Sequence, residues 1–189
     1  MAITISAVIL AGGQAKRMGG ADKGLQLFRG EPLFMHVYRR LSVQVGEIAL
    51  NANRNQARYA AAGLPVFADR LPDFQGPLSG MLSALERAKT DFVLFAPCDT
   101  PFLPLNLRTT LQSAVEKSHV FAAYAHDGER AHPTCCLLAV ALKDKLEDFL
   151  QQGHRRILQF MQQNGAQAVD FSAQRAAFTN INTPEELER

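Results

Sequence analysis

Apolar runs of strand length alternate with stretches of helical spacing along most of this chain. Residues 3–10 are largely β-branched and aliphatic and predict a buried strand that stops at Gly12 and Gly13. Leu33, Val37, Leu41 and Val45 then fall on one helical stripe, which Gly30-Glu31-Pro32 introduces with proline in the first turn. Residues 47–51 read as a second strand, 54–62 as a short helix closed by Gly63, and 64–67 as a short third strand. After a loop rich in Pro, Gly and Asp over 72–77, Leu78, Leu82 and Leu85 mark the inward face of a helix over 78–88. Residues 92–96 form the most continuously apolar run, as expected of a central strand buried on both faces. It ends at Pro97-Cys98-Asp99-Thr100-Pro101, where two prolines restrict the residues between them.

Further on, a helix is expected from Pro104 to about Lys117 and a strand over 119–124, joined through a turn at His126-Asp127-Gly128 to a pairing strand over 133–138. Helices around 142–150 and 156–164 follow, then short strand candidates at 166–170 and 177–179. Thr183-Pro184-Glu185-Glu186 reads as a capping box that opens a terminal helix, with Thr183 as cap, Pro184 at the first position and Glu186 reaching back. Strand and helix alternate over the first 120 residues, which predicts an α/β fold of three layers around a mostly parallel sheet, made mixed by the later hairpin. No repeat, low-complexity tract or linker divides the chain, so one domain over 1–189 is expected.

Composition narrows the class without changing that picture. A hydrophobic content of 47% and a charged content of 20% are those of a soluble globular protein, and a net charge of +2 gives no reason to expect nucleic acid or a membrane surface as partner. Arginine outnumbers lysine 14 to 6, which suits phosphate recognition and equally reflects genome composition. With no apolar run of membrane-spanning length and no signal-peptide pattern, cytoplasmic residence is the expectation. Cys98 stands alone, and Cys135 and Cys136 are adjacent on a predicted strand, pointing to opposite faces. Without a C-x-x-C pattern, all three read as buried structural thiols.

The chemistry concentrates where strands end. Glycine at 12 and 13 lets backbone N–H groups approach an anion, while Arg17 and Lys23 supply mobile positive charge, so the loop reads as a phosphate cradle. It matches neither the Walker pattern, for want of Gly-Lys-Ser/Thr, nor the dinucleotide pattern G-x-G-x-x-G. Asp99, just past the central strand, is placed to hold Mg²⁺ against triphosphate oxygens, or else to cap the turn between Pro101 and Pro104. Asp69 can accept from the two donors on the Watson–Crick edge of guanine or from ribose hydroxyls, and can equally form an ion pair with Arg70 or Arg54. Asn51 either contacts base or ribose or forms a turn. Gly76-Pro77-Leu78-Ser79-Gly80 sits at a helix start, where free N–H groups and small side chains admit a planar base. His132-Pro133-Thr134 offers a histidine for acid–base work, for orienting a substrate or for filling a strand edge. Arg155-Arg156 either opens a helix in solvent or contacts a phosphate or pterin. Asn180 and Asn182, two apart on an extended segment, face one side and can read a heterocycle.

Taken in order, Leu10-Ala11-Gly12-Gly13, Arg17-Met18-Gly19, Lys23-Gly24, Gly76-Pro77-Leu78-Ser79-Gly80, Pro97-Cys98-Asp99-Thr100-Pro101-Phe102, His132-Pro133-Thr134 and Asn180-Ile181-Asn182-Thr183-Pro184-Glu185-Glu186 resemble the molybdenum cofactor guanylyltransferase family, within the nucleotidyltransferase superfamily. The resemblance covers essentially the whole chain. It implies the Rossmann-like α/β/α fold of nucleotide-diphospho-sugar transferases and transfer of GMP from Mg-GTP to the terminal phosphate of Mo-molybdopterin, with pyrophosphate released. It further implies that Leu10, Ala11, Gly12, Lys23, Asn51, Asp69 and Asp99 bind GTP, that Asp99 also holds Mg²⁺, and that Arg17, Asn180 and Asn182 serve the pterin side or the active site. Gly13, Gly76, Pro77, Leu78 and Gly80 join the expected GTP site, Arg156 the pterin site, and Arg17, Lys23 and Asp99 the catalytic group. Ala15 stands where many members have serine, which removes one hydroxyl contact to phosphate. Transient contact with an accessory GTP-binding protein and with apo-molybdoenzymes belongs to the same expectation. The competing readings are a cytidylyltransferase acting on the pterin or on a sugar phosphate, and a non-catalytic carrier that holds the pterin in response to nucleotide.

Overall fold

In the computed structural model, which describes residues 3–13, 22–72 and 76–188, the predicted alternation forms one seven-stranded sheet. Strand β1 (Ile5–Leu10) leads, by way of a 3₁₀ turn at Lys23–Leu25 and a small hairpin of β2 (Leu27–Phe28) and β3 (Glu31–Pro32), to helix α1 (Leu33–Ser42). There follow β4 (Ile48–Asn51), α2 (Gln56–Ala60), β5 (Val66–Phe67), α3 (Pro77–Arg87), β6 (Phe92–Pro97) and α4 (Leu107–Ser118). The second half holds β7 (Ala122–His126), β8 (Ala131–Ala139), α5 (Lys143–Gln151), α6 (Ile157–Gln163), β9 (Gln167–Asp170), a 3₁₀ segment at Ser172–Phe178 and α7 (Pro184–Leu187). The sheet order is β5-β4-β1-β6-β8-β7-β9, and β8 alone among these strands runs against the others.

Side chains of alternate sign along each strand divide the core in two. Ala7, Ile9, Leu50, Leu94, Ala96, Ala123 and Cys135 pack on one side with α1 and α4, through Phe34, Val37, Leu41, Leu107, Leu111 and Val115. Val8, Leu10, Val93, Phe95, Tyr124, Cys136 and Leu138 pack on the other with α3, α5 and α6. The three layers are therefore those the periodicity predicts, and Cys135 and Cys136 do face opposite sides as buried, free thiols. Burial pushes all three thiols above their ordinary range, which keeps them neutral at neutral pH. No helix of the described residues is long and apolar enough to cross a membrane.

A third, small cluster of Phe28, Leu33 and Ile181, with Phe102 and Leu187 against it, fastens the end of the chain to the β2–β3 hairpin and the start of α1. That hairpin, with strands of two residues each, is too short to leave a periodic mark in the sequence. Other elements differ at their ends. Pro32 caps α1 instead of lying within it, and Val45 is buried beyond the helix, which stops at Ser42. Helix α4 starts at Leu107, since Pro104 sits in a preceding turn whose carbonyl accepts from the Leu107 N–H. The strand expected over 177–179 is a correction: those residues end a 3₁₀ segment that folds Phe178 back onto Phe171 and His132.

Strand β7 pairs with β8 as the expected hairpin, with a break in register between Tyr124 and Ala125 where Pro133, lacking an N–H, cannot serve a ladder. Asp127, at the turn, is only 3% exposed. It accepts from the Glu129 and Arg130 N–H groups (2.9 and 2.8 Å) and from His132 Nε2 (2.7 Å), and the His132 ring stacks on Phe178 at 4.6 Å between centroids. The His132 bond, followed by the backbone bonds, holds the Asp127 carboxyl well below the ordinary carboxylate range. A depressed native pKa contributes stability that is complete above the ordinary value, about 3.9, and is lost as pH falls toward the lower native one. Asp127→Asn is thus expected to lower Tm by several degrees at neutral pH and to flatten the loss of stability on acidification. Thermal unfolding followed by circular dichroism at a series of acid pH values checks this, and parallel curves for the two proteins would show the carboxylate to be idle.

Candidate active site

Four parallel strands end level with one another. Leu10 is in register with Asn51 on one side and Pro97 on the other, and Asn51 is in register with Phe67. The residues that follow, Ala11 to Gly13, Ala52 and Asn53, Ala68 and Asp69, and Cys98 and Asp99, consequently share one rim, on both sides of β1. Strand order reverses about β1, and the crevice beyond such a switch point is where open α/β sheets bind ligands.

At the centre of the rim the Lys23 ammonium donates to Asp99 Oδ2 and, at 2.6 Å, to Asn182 Oδ1. Lys23 and Asp99 side chains are 20% and 13% exposed, so the pair is largely withdrawn from water. Asp99 Oδ1 is buried and, among the described residues, has no hydrogen-bond partner. A carboxylate oxygen with unused lone pairs beside an ammonium is a donor set suited to a hard cation that takes oxygen ligands. Three supports place this group. From β1's side, the residue before Lys23, Asp22, is buried and accepts from the Tyr59 hydroxyl and from Asn55 Nδ2 (3.1 Å). From β6, the Asp99 carbonyl accepts from the Ile181 N–H at 2.9 Å. From the end of the chain, Asn180 Oδ1 accepts from the Thr100 hydroxyl at 3.1 Å. Ile181, buried at 5% exposure, is the anchor between the two asparagines.

Burial, with the Cys98 and Asp22 groups nearby, drives the Tyr59 hydroxyl far above its ordinary range and keeps it a neutral donor. Gly24 makes room for it: a Cβ there would lie 2.5 Å from the Tyr59 oxygen. The Lys-Gly pair thus has a packing reason that sequence alone did not supply.

Beyond β4 and β5 a second polar group forms. Asn51, 2% exposed, donates from Nδ2 to Asp69 Oδ1 at 2.8 Å, and the Asp69 N–H donates to Asn53 Oδ1 at 2.8 Å. Asn51 therefore orients Asp69 from below. Arg70, weighed above as a partner of Asp69, instead joins Glu86 (2.9 Å) and Glu147 (2.5 Å). Gly12 and Gly80 both lie against the Asn51 amide, where added Cβ atoms would come within 3.1 and 2.2 Å of Oδ1. Gly76 takes the positive φ of +84° that lets the chain turn into α3, with Pro77 next, and Leu78 is wholly buried. Leu10 is likewise buried, its carbonyl accepting from the Cys98 N–H at 3.1 Å, so it shapes the rim through its main chain.

Of the expected site residues, the structure brings Lys23, Asp99, Asn180 and Asn182 into one hydrogen-bonded group and Gly12, Asn51, Asp69 and Gly80 into a second. Gly13 is exposed at the rim with its carbonyl 3.5 Å from the Arg54 guanidinium. Arg156 caps α6, exposed and outside both groups. Arg17 and Ala15 lie outside the described residues. Asp22, Asn53, Tyr59 and Thr100 went unnoticed in the sequence, although Asn51 and Asn53 repeat the N-x-N spacing that drew attention to Asn180 and Asn182. A groove of about 590 Å³ beside Phe102 contains none of the rim residues.

Residues 7–168 match the model of a MobA-like NTP transferase domain. The chain is 61% identical to a molybdenum cofactor guanylyltransferase of Pasteurella multocida over 188 residues, with all of both chains covered. It is 62% identical to one of Histophilus somni over 189 residues, covering all of this chain and 97% of that one. Among solved structures, molybdopterin-guanine dinucleotide biosynthesis protein A of Archaeoglobus fulgidus superposes with a TM-score of 0.78 at 22% identity over 97% of this chain and 95% of that one, a likeness of fold.

Gly80→Ala tests the packing at the second group, because the Asn51 amide is buried and its neighbour is a helix. It is expected to destabilise the protein by about 1–3 kcal/mol, read from urea unfolding, with Asp69 loosened as Asn51 is displaced. Unchanged stability would mean the amide has room to move aside.

Proposed function

The chain belongs to the MobA-like NTP transferase family and is a nucleotidyltransferase of the molybdenum cofactor guanylyltransferase kind, and on that premise we propose that it transfers GMP from Mg-GTP to the terminal phosphate of Mo-molybdopterin, releasing pyrophosphate. The observation that carries this reading is the meeting of Lys23, Asp99 and Asn182 at the switch-point rim that Gly12 also lines. Attack at the α-phosphorus builds negative charge in a crowded space, so positioned cations and N–H dipoles are the chief need. Lys23 neutralises phosphate oxygens, and the Gly12 and Gly13 backbone approaches them closely for want of side chains. Asp99 would hold Mg²⁺, which when bound would supply charge neutralisation at the phosphate oxygens. Asp69, steadied by Asn51 and Asn53, accepts from the N1–H and exocyclic amine of guanine, donors that cytosine does not present in that pattern.

The acceptor needs no deprotonation by the protein. A phosphate monoester with a second pKa near 6 is largely dianionic at neutral pH. His132, hydrogen-bonded to Asp127 and stacked on Phe178, is accordingly a structural residue here and not the general base. Transfer of the product to apo-molybdoenzymes, with an accessory GTP-binding protein in attendance, completes the reading, as does residence in the cytoplasm.

Protein loaded with the pterin and offered GTP, CTP and ATP in turn is expected to release pyrophosphate with GTP and to yield a product heavier by GMP. Asp99→Ala is expected to cut that release by at least about a hundredfold, whereas His132→Ala retains most of the turnover of whatever protein stays folded. Comparable losses in kcat from both substitutions would refute the base-free mechanism, and preference for CTP would refute the assignment of the base.

A further inference from the structure

We propose that Glu186 is a positioning residue of the site, acting through Asn182 to hold the Lys23 ammonium in place. In an ordinary capping box the acidic side chain bonds the N–H of the capping residue, here Thr183. Glu186 does so at 3.2 Å, and the Thr183 side chain completes the box. Its shorter bond, 2.6 Å, goes one residue further back, from the Asn182 N–H to the same Oε2. That second bond does nothing for the helix, since Asn182 lies outside it. What it does is fix the peptide that joins Ile181 to Asn182, while the 3.2 Å bond from the Thr183 N–H fixes the peptide that follows, and the buried Ile181 is itself held by its N–H bond to the Asp99 carbonyl. With both flanking peptides held, the Cα–Cβ bond of Asn182 is aimed at the rim, where its Oδ1 lies 2.6 Å from Lys23 Nζ and its Nδ2 donates to the Asn180 carbonyl at 3.4 Å. The line Glu186, Asn182, Lys23, Asp99 thus ties the last helix to the charged centre of the rim.

The inference rests on the reading of Lys23 as the phosphate-neutralising group, but its test uses no substrate. Lysine acetylation by an N-hydroxysuccinimide ester, scored peptide by peptide by mass spectrometry on the nucleotide-free protein, reports how firmly each ammonium is held. Lys89, Lys117, Lys143 and Lys145 serve as internal references. Glu186→Ala is expected to speed labelling of Lys23 by about five- to tenfold, less than the full loss of a hydrogen bond to a charged group because the Asn182 bond is loosened and not removed, with the reference lysines unchanged. Glu186→Gln, whose amide oxygen still accepts, is expected to restore labelling to within about twofold of the parent. Thr183→Ala removes the other half of the capping box without touching the Asn182 bond and is expected to leave Lys23 protected. If Glu186→Ala does not fold, Glu186→Asp, too short to reach Asn182 yet still acidic at the helix start, is expected to expose Lys23 in the same way. Equal acceleration in the Thr183 and Glu186 variants would reduce Glu186 to a helix cap, and no acceleration in any Glu186 variant would remove the link to Lys23 altogether. A parent protein inert toward GTP would sink the proposed reaction and leave the labelling pattern to decide this inference alone.

Discussion

The ion pair between Lys23 and Asp99 is the constraint that the rest of the rim satisfies. Two opposite charges largely withdrawn from water hold each other only while both are delivered to the same point, because either one left alone at that depth is strongly destabilising. The partners are 76 residues apart, and Asn182, which takes the other bond of the ammonium, is 159 residues from Lys23. Local structure cannot bring such groups together. The register of β1 with β6 does it for Asp99, the Tyr59 and Asn55 bonds to Asp22 do it for Lys23, and the apolar seat of Ile181 does it for Asn182.

Several glycines that look like features for a ligand turn out to serve the protein's own polar groups first. Gly24 admits the Tyr59 hydroxyl, and Gly12 and Gly80 admit the Asn51 amide from two directions. Buried polar atoms need their partners at close range, and a side chain at any of these positions would keep the partners apart. On the proposed reaction, close approach of a phosphate would be a second use of the space at Gly12, whereas Gly24 is filled by tyrosine.

That division explains what could be read in advance. The three layers, the parallel core of the sheet and the late hairpin follow from periodicity, since burial on one or both faces leaves its mark on every second or every third to fourth residue. The strand ends carry Asp99, Asp69 and Asn51 because a strand that stops abruptly at polar residues is visible as such. The β2–β3 hairpin left no periodic mark, being too short, and 177–179 looked extended although Phe178 was needed against His132. Asp22, Asn53 and Tyr59 escaped notice for another reason: nothing in a local window tells which buried tyrosine meets which aspartate. Asp22 in particular was hidden in plain view beside Lys23, as an ordinary charged residue of a glycine-rich loop.

The protonation states around the rim favour charge over proton transfer. The Cys98 and Cys135 thiols and the Tyr59 hydroxyl lie around Lys23, Asp22 and Asp99 from the core side, and burial raises all three well above their ordinary ranges, so none ionises at neutral pH. The nearby histidine of the β7–β8 hairpin is committed through Nε2 to a carboxylate that its own bond keeps ionised, and through its ring face to Phe178. Among the described residues the rim offers a fixed ammonium, a carboxylate oxygen that accepts no hydrogen bond and the backbone of two glycines. On the reaction proposed above, a site so equipped would stabilise a phosphoryl group that is gaining negative charge and would need no base, because the attacking phosphate monoester arrives already ionised.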